Sequence, residues 1–244
     1  RRVSEAQSWQ AQPGTTPPWA IRRRRILRDS AAIGLAVGIY GLSFGAIAVA
    51  GGFSIWQTMA LSLVMFTGGS QFAYIGVVAA GGSAIAAAVA ALLLGARNTL
   101  YGVAVRPLVP SRGLRRVAAA QLTIDESTAM ALAHEDPLDP RAARTAFWAT
   151  GLAVFAGWNI ATLVGALGAA SLGDPGVWGL DAMVPAAFLA LAWPRLKTRR
   201  SVMTALAAAT VAIVAGLFAP PGVPVLLGGL VAVAAGLMPG QVTR

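Results

Sequence analysis

Residues 30–96 read SAAIGLAVGIYGLSFGAIAVAGGFSIWQTMALSLVMFTGGSQFAYIGVVAAGGSAIAAAVAALLLGA, 67 residues without one Asp, Glu, Lys or Arg. A helix crosses the hydrocarbon core of a bilayer with about 20 apolar residues, so this run has room for about three crossings. Two further uncharged runs follow, Thr145–Gly173 with 29 residues and Ser201–Thr243 with 43. A soluble helix of such length keeps a polar stripe toward water, and these stretches have none. They are unbroken and rich in Ala, Leu and Val, whereas barrel strands alternate in segments of about ten residues. Composition agrees: 11% of the 244 residues are charged, 57% are hydrophobic and the mean hydropathy is +0.68, against about 25% charged in an ordinary globular domain. The expected fold is all-α, a polytopic integral membrane helical bundle.

What is missing narrows the function. With no Cys and one His, His134, disulfides, iron–sulfur centres, thiolate metal sites and histidine clusters are excluded, and no metal or cofactor is expected. The one Lys, Lys197, follows no GxxxxGK[ST] loop, which excludes a nucleotide site. A net charge of +10 on a membrane chain marks cytoplasmic loops and their attraction to anionic lipid, with no nucleic-acid partner needed.

Residues 1–29 read as a basic cytoplasmic tail, disordered in its first part, with Arg22–Arg25 and Arg28 holding it inside; a cleaved signal peptide is the competing reading. The membrane domain then covers 30–240. Its spans are expected at 30–50, 55–79, 83–105, 117–134, 145–172, 178–193, 201–218 and 223–237. Starting inside, eight crossings leave the loop 135–144, the loop with Arg195, Lys197, Arg199 and Arg200, and Arg244 in the cytoplasm, as the excess of Lys and Arg in cytoplasmic loops requires. The loop with Arg106, Arg112, Arg115 and Arg116 then lies outside. Either that loop is tolerated, or one segment before His134 is re-entrant, giving seven or eight crossings. A faint repeat sets Trp56, Phe66 and the Gly68–Gly69 interruption against Trp178, Phe188 and the Pro185 interruption, and paired interruptions point to a transporter site.

Four motifs bring polar chemistry into apolar surroundings. In Thr67-Gly68-Gly69-Ser70-Gln71-Phe72, adjacent glycines weaken a helix by about 1 kcal/mol each relative to Ala. Ser70 and Gln71 at bilayer depth must find partners. A helix broken near 68–71 would offer N–H groups and the positive end of a dipole to an anion such as a carboxylate; close helix contact through small residues explains the glycines equally. Arg97-Asn98-Thr99-Leu100-Tyr101-Gly102 puts a guanidinium near a span end, facing a pathway or partner or snorkelling beside Tyr101. Thr123-Ile124-Asp125-Glu126-Ser127-Thr128 carries adjacent carboxylates about 100° apart on a helix, of which one could carry a proton or pair an ammonium. The alternative is a solvated face with one acid bonded to Arg97 or to the arginines at 112–116. Pro185, within Gly179–Phe188, frees a carbonyl, and Asn159 after Trp158 is a further polar candidate that an interhelical hydrogen bond also explains.

Taken in order, FTGGSQF at Phe66, ARNTLYG at Ala96, LTIDES at Leu122 and GLDAMVPAAFLAL at Gly179 resemble the successive motifs of the AzlC family, bacterial branched-chain amino acid permeases and exporters that work with a small AzlD-type membrane partner. The resemblance covers roughly Ser30–Met238. It implies export of valine, leucine, isoleucine or another apolar amino acid across the bacterial cytoplasmic membrane. By motif match it carries a G-[AG]-S-Q-F element onto Gly68, Gly69, Ser70, Gln71 and Phe72, R-H-x-L-Y onto Arg97, Asn98, Leu100 and Tyr101, and T-D-E onto Asp125 and Glu126. Asn98 stands where the family has His, which leaves no imidazole there, and Ile124 separates Thr123 from Asp125.

The resulting expectation is a secondary carrier, not an enzyme. Gly68–Gln71 take the substrate carboxylate, Phe72 and Phe66 the aliphatic side chain, and Asp125 or Glu126 the ammonium or a coupling proton; Arg97, Asn98, Tyr101, Asn159 and Pro185 are structural or line the pathway. The rival is a non-transporting membrane assembly subunit packed through small residues.

Overall fold

A computed structural model of the chain describes residues 17–171, 189, 192–193, 196–219 and 223–238. The first sixteen residues, Pro185 and nearly all of the expected span at 178–193 lie outside the described residues. Ten long helices carry the described fold: α1 (Trp19–Ala50), α2 (Ile55–Val64), α3 (Gly69–Ala79), α4 (Ala84–Gly95), α5 (Arg97–Val105), α6 (Leu114–Gln121), α7 (Asp125–Ala133), α8 (Arg141–Ser171), α9 (Arg199–Gly216) and α10 (Val223–Leu237). No strand occurs among the described residues. Among the described residues, four stretches are long and apolar enough to cross a membrane: α1, Ala84–Val105, α8 and α9.

Two expectations need correction. The first helix starts at Trp19, ahead of the span expected from Ser30, so the arginines at 22–25 and 28 are helical. Arg is a good helix former, and Arg22 is held at its far end: Nη1 lies 3.3 Å from carboxylate oxygens of both Asp136 and Asp139. The segment expected as one helix over 117–134 is two helices, with residues 122–124 between α6 and α7.

The chain divides into two compact units, Arg1–Ile39 with Asn98–Trp158, and Tyr40–Arg97 with Asn159–Arg244. In the first, Ser30 Oγ bonds Thr150 Oγ1 at 2.9 Å. A Cβ on Gly34 would stand 2.7 Å from the Ala153 carbonyl carbon, and one on Gly38 would stand 3.1 Å from that of Gly157. The partners ascend together along both helices, so α1 and α8 run parallel here. Residues four apart share a helix face, and small ones let backbones touch. Nearby, Ile26 is buried on Ala142 and Ala146, and the Arg141 guanidinium lies 5.2 Å from the centre of the Trp19 ring.

In the second unit Gly45 abuts the Thr162 carbonyl and Gly165 the Leu42 carbonyl. Phe44 and Phe72 meet edge to face at 5.5 Å, and Val77 of α3 packs on Ala87 and Ala90 of α4. Helices α9 and α10 form a hairpin in which Arg200 donates to the carbonyls of Ala235 and Met238, at 2.5 and 2.8 Å, capping the end of α10.

Candidate functional site: a braced helix break

Helix α2 has a firm start. Ser54 Oγ accepts from the Gln57 amide at 3.2 Å and Gln57 Oε1 accepts from the Ser54 amide at 2.8 Å, a reciprocal cap. Its end is equally defined. Met65 leaves helical geometry at φ −96° and ψ 57°, and the Thr67 amide donates back only two residues, to the Met65 carbonyl at 2.8 Å, a γ-turn bond. Gly68 then adopts φ 60° and ψ −89°, a conformation open to a residue without Cβ. Helix α3 begins at Gly69.

Gln71 spans this break. Its Oε1 accepts from the Gly68 amide at 3.2 Å and its Nε2 donates to the Leu61 carbonyl at 3.1 Å, so one fully buried side chain ties the start of α3 to the last turn of α2. Ser70 behaves differently. It is 3% exposed, and its hydroxyl has no hydrogen-bond partner among the described residues. The Thr67 hydroxyl is likewise buried and unpartnered. The Ser70 oxygen lies 3.2 Å from where a Cβ on Gly95 would stand, so Gly95 is what leaves room beside it. The amides of Gly69 and Ser70 precede the first intrahelical bonds of α3 and face out from its positive end.

Arg97, the first residue of α5, reaches this same break. Its Nη2 donates to the Thr67 carbonyl at a long 3.5 Å, and a Cβ on Gly69 would stand 3.8 Å from that nitrogen and 3.7 Å from Leu94 Cδ2. Phe72, one turn into α3, is buried on Phe44. Phe66 is buried too. Asn159 accepts from Ser62 Oγ at 2.8 Å, and that hydroxyl also lies 3.3 Å from Thr162 Oγ1, an interhelical bond, which is one of the two readings the sequence left open for Asn159.

In the other unit Asp125 and Glu126 form the first turn of α7, where the dipole favours carboxylates. The break before them is braced as the first is. Ser127 Oγ accepts from the Ile124 amide at 3.1 Å and donates to the Leu122 carbonyl at 2.5 Å. Thr128 and Asn98 each keep a buried side-chain oxygen without a partner among the described residues; Tyr101 is half-buried. Sequence reasoning missed this second break. Its signal is the acidic first turn with Ser at the third helical position, a helix-start pattern.

No curated protein matches the chain, and no solved structure does. The family described as AzlC protein matches residues 32–172, a stretch that holds both braced breaks, Arg97 and the paired acids. Residues 32–172 are more than half of the 244, and the chain belongs to the AzlC family.

Proposed function

We propose that the chain exports branched-chain or other apolar amino acids across the bacterial cytoplasmic membrane. The substrate carboxylate docks at the α2–α3 break, and a small AzlD-type membrane subunit completes the carrier. AzlC is a transporter family, and membership supports transport as the general activity and a carrier rather than an enzyme. The observation that carries the site is the Ser70 hydroxyl, buried and unpartnered in the first turn of a half-helix. A buried polar group without a partner costs about 1–3 kcal/mol, and such a cost persists at functional sites where a ligand group satisfies it.

Roles then divide. Gln71 braces the break, the amides of Gly69 and Ser70 with the Ser70 hydroxyl receive the carboxylate, and Phe72 and Phe66 offer apolar surface. Asp125 or Glu126, at the N-terminus of α7, carries a coupling proton. Parallel packing of α1 and α8 supports an odd number of crossings between them, and three segments are available, so we take all three as crossing. Eight spans follow, with the N-terminus inside and the loop 106–116 outside.

Export is tested in cells fed a leucine-containing dipeptide, with and without the chain and its partner. Faster loss of intracellular leucine with the wild type, slowed in Ser70→Ala and Glu126→Gln at equal membrane abundance, is the expected result. Leucine efflux equal with and without the chain would exclude this function.

A further inference from the structure

We propose that the cleft between α9 and α10 holds one anionic phospholipid of the cytoplasmic leaflet, with its phosphate at Arg200 and an acyl chain between the two helices. The shape of the hairpin makes the room. Where small residues face each other the helices touch: a Cβ on Gly228 would stand 3.2 Å from the Ala208 carbonyl oxygen, and one on Gly216 would stand 3.9 Å from Pro224 Cγ. Toward the start of α9 the link is instead a long side chain, Arg200, whose Nη2 donates to the carbonyls of Ala235 and Met238. A cleft of about 530 Å³ lies at that end. Arg200, Ser201 and Thr204 give it a polar margin, and Ala205, Ala208 and Ala232 give it an apolar wall.

This lining suits an amphiphile with a negative head. Arg200 engages the α10 carbonyls through Nη2, which leaves Nε and Nη1 as donors of the kind that phosphate oxygens accept. Ser201 and Thr204, three apart, share one face of α9. Lys197 and Arg199 stand exposed next to Arg200 in the chain, and the sequence from Ala182 to Arg244 contains no Asp or Glu to offset them. Helix α9 is long and apolar enough to span the bilayer, and none of its apolar window is buried among the described residues, which sets its flank toward lipid. The basic segment Lys197–Arg200 belongs on the cytoplasmic side, so the margin lies at headgroup level and the alanine wall at the depth of the acyl chains. A zwitterionic lipid brings the same phosphate together with an ammonium that Lys197 and Arg199 repel. The inference stands apart from which solute the chain carries.

The test is native mass spectrometry of the full chain, purified in detergent and titrated with phosphatidylglycerol or with phosphatidylethanolamine of the same acyl composition. One phosphatidylglycerol is expected to be retained, preferred over phosphatidylethanolamine by about fivefold or more, the effect of one basic residue near an anionic surface. Arg200→Gln removes the charge, and Ala232→Leu fills the wall without touching any charge; each is expected to lower retention of phosphatidylglycerol by about fivefold or more. Arg24→Gln removes an exposed arginine of α1 and is expected to leave retention unchanged. Equal retention of the two lipids by the wild type, a comparison that needs no variant, would overturn the site. So would full retention in Ala232→Leu with equal losses in Arg200→Gln and Arg24→Gln, the mark of diffuse basic attraction. Displacement of the lipid on adding the small membrane subunit would overturn it as well, by assigning the cleft to that partner.

Discussion

Gln71→Leu isolates the brace. The substitution is close in volume, so it removes two hydrogen bonds without opening a large cavity. The Gly68 amide loses its acceptor and, if left dry, costs about 1–3 kcal/mol. The Leu61 carbonyl loses Gln71 Nε2 but keeps the Met65 amide at 2.9 Å, so that loss is nearer the net value of one bond, about 0.5–1.5 kcal/mol. Together the variant is expected to be less stable by about 1.5–4.5 kcal/mol and to lose transport, because the start of α3 is no longer fixed. Ser70→Ala is the contrast: it deletes an unpartnered hydroxyl, so stability holds or rises slightly while binding falls. Thermal unfolding followed by size exclusion in detergent reads both. If Gln71→Leu unfolds at the wild-type temperature and exports leucine normally, the brace has no such role.

Other consequences follow from different parts of the fold. Gly45→Ala and Gly165→Ala push a methyl into a facing carbonyl and are expected to destabilise by about 1–3 kcal/mol, whereas Gly168→Ala, with nothing within 4 Å, is tolerated; thermal unfolding of the three variants checks this. The Asp139 carboxyl is held below its ordinary 3.8, first by the hydrogen bond from Arg141, with Arg22 adding attraction and burial opposing. A lowered folded pKa means its stabilisation is full above about pH 4 and is lost as pH falls through the folded value, so the drop in melting temperature between about pH 7 and pH 3 should shrink in Asp139→Asn. Because the chain has no Cys, Ser111→Cys reports topology cleanly, and a membrane-impermeant maleimide added to intact cells should label it.

Legibility in the sequence followed how local each cause was. The break at Gly68 was visible because two adjacent glycines and two polar residues interrupt an apolar run, and the unusual φ of Gly68 is a property of that residue alone. The role of Gln71 was hidden. Its partner Leu61 lies in the preceding helix, and no pattern in FTGGSQF tells a side chain that closes a backbone gap from one that meets a ligand. The second break was missed because LTIDES contains neither Gly nor Pro, and its paired acids were weighed for charge rather than as the first turn of a new helix. The early start of α1 escaped for a similar reason. A run of arginines reads as a tail until Asp136 and Asp139, more than a hundred residues later, meet Arg22. The α1–α8 seam was in view in Gly34 and Gly38, four apart, but which helix they met depended on the fold.

The central claim, that a carboxylate-bearing amino acid docks at the start of α3, is tested most directly by protection. In the Cys-free chain, Gly69→Cys places a thiol where a Cβ meets only ordinary contacts near Leu94 and Arg97, and Gly102→Cys, with open space around it, serves as control. The rate of modification by a small methanethiosulfonate is measured in membranes with and without saturating L-leucine. The account predicts that leucine slows modification at position 69 severalfold and leaves position 102 unchanged. Equal rates at position 69 with and without leucine would contradict it.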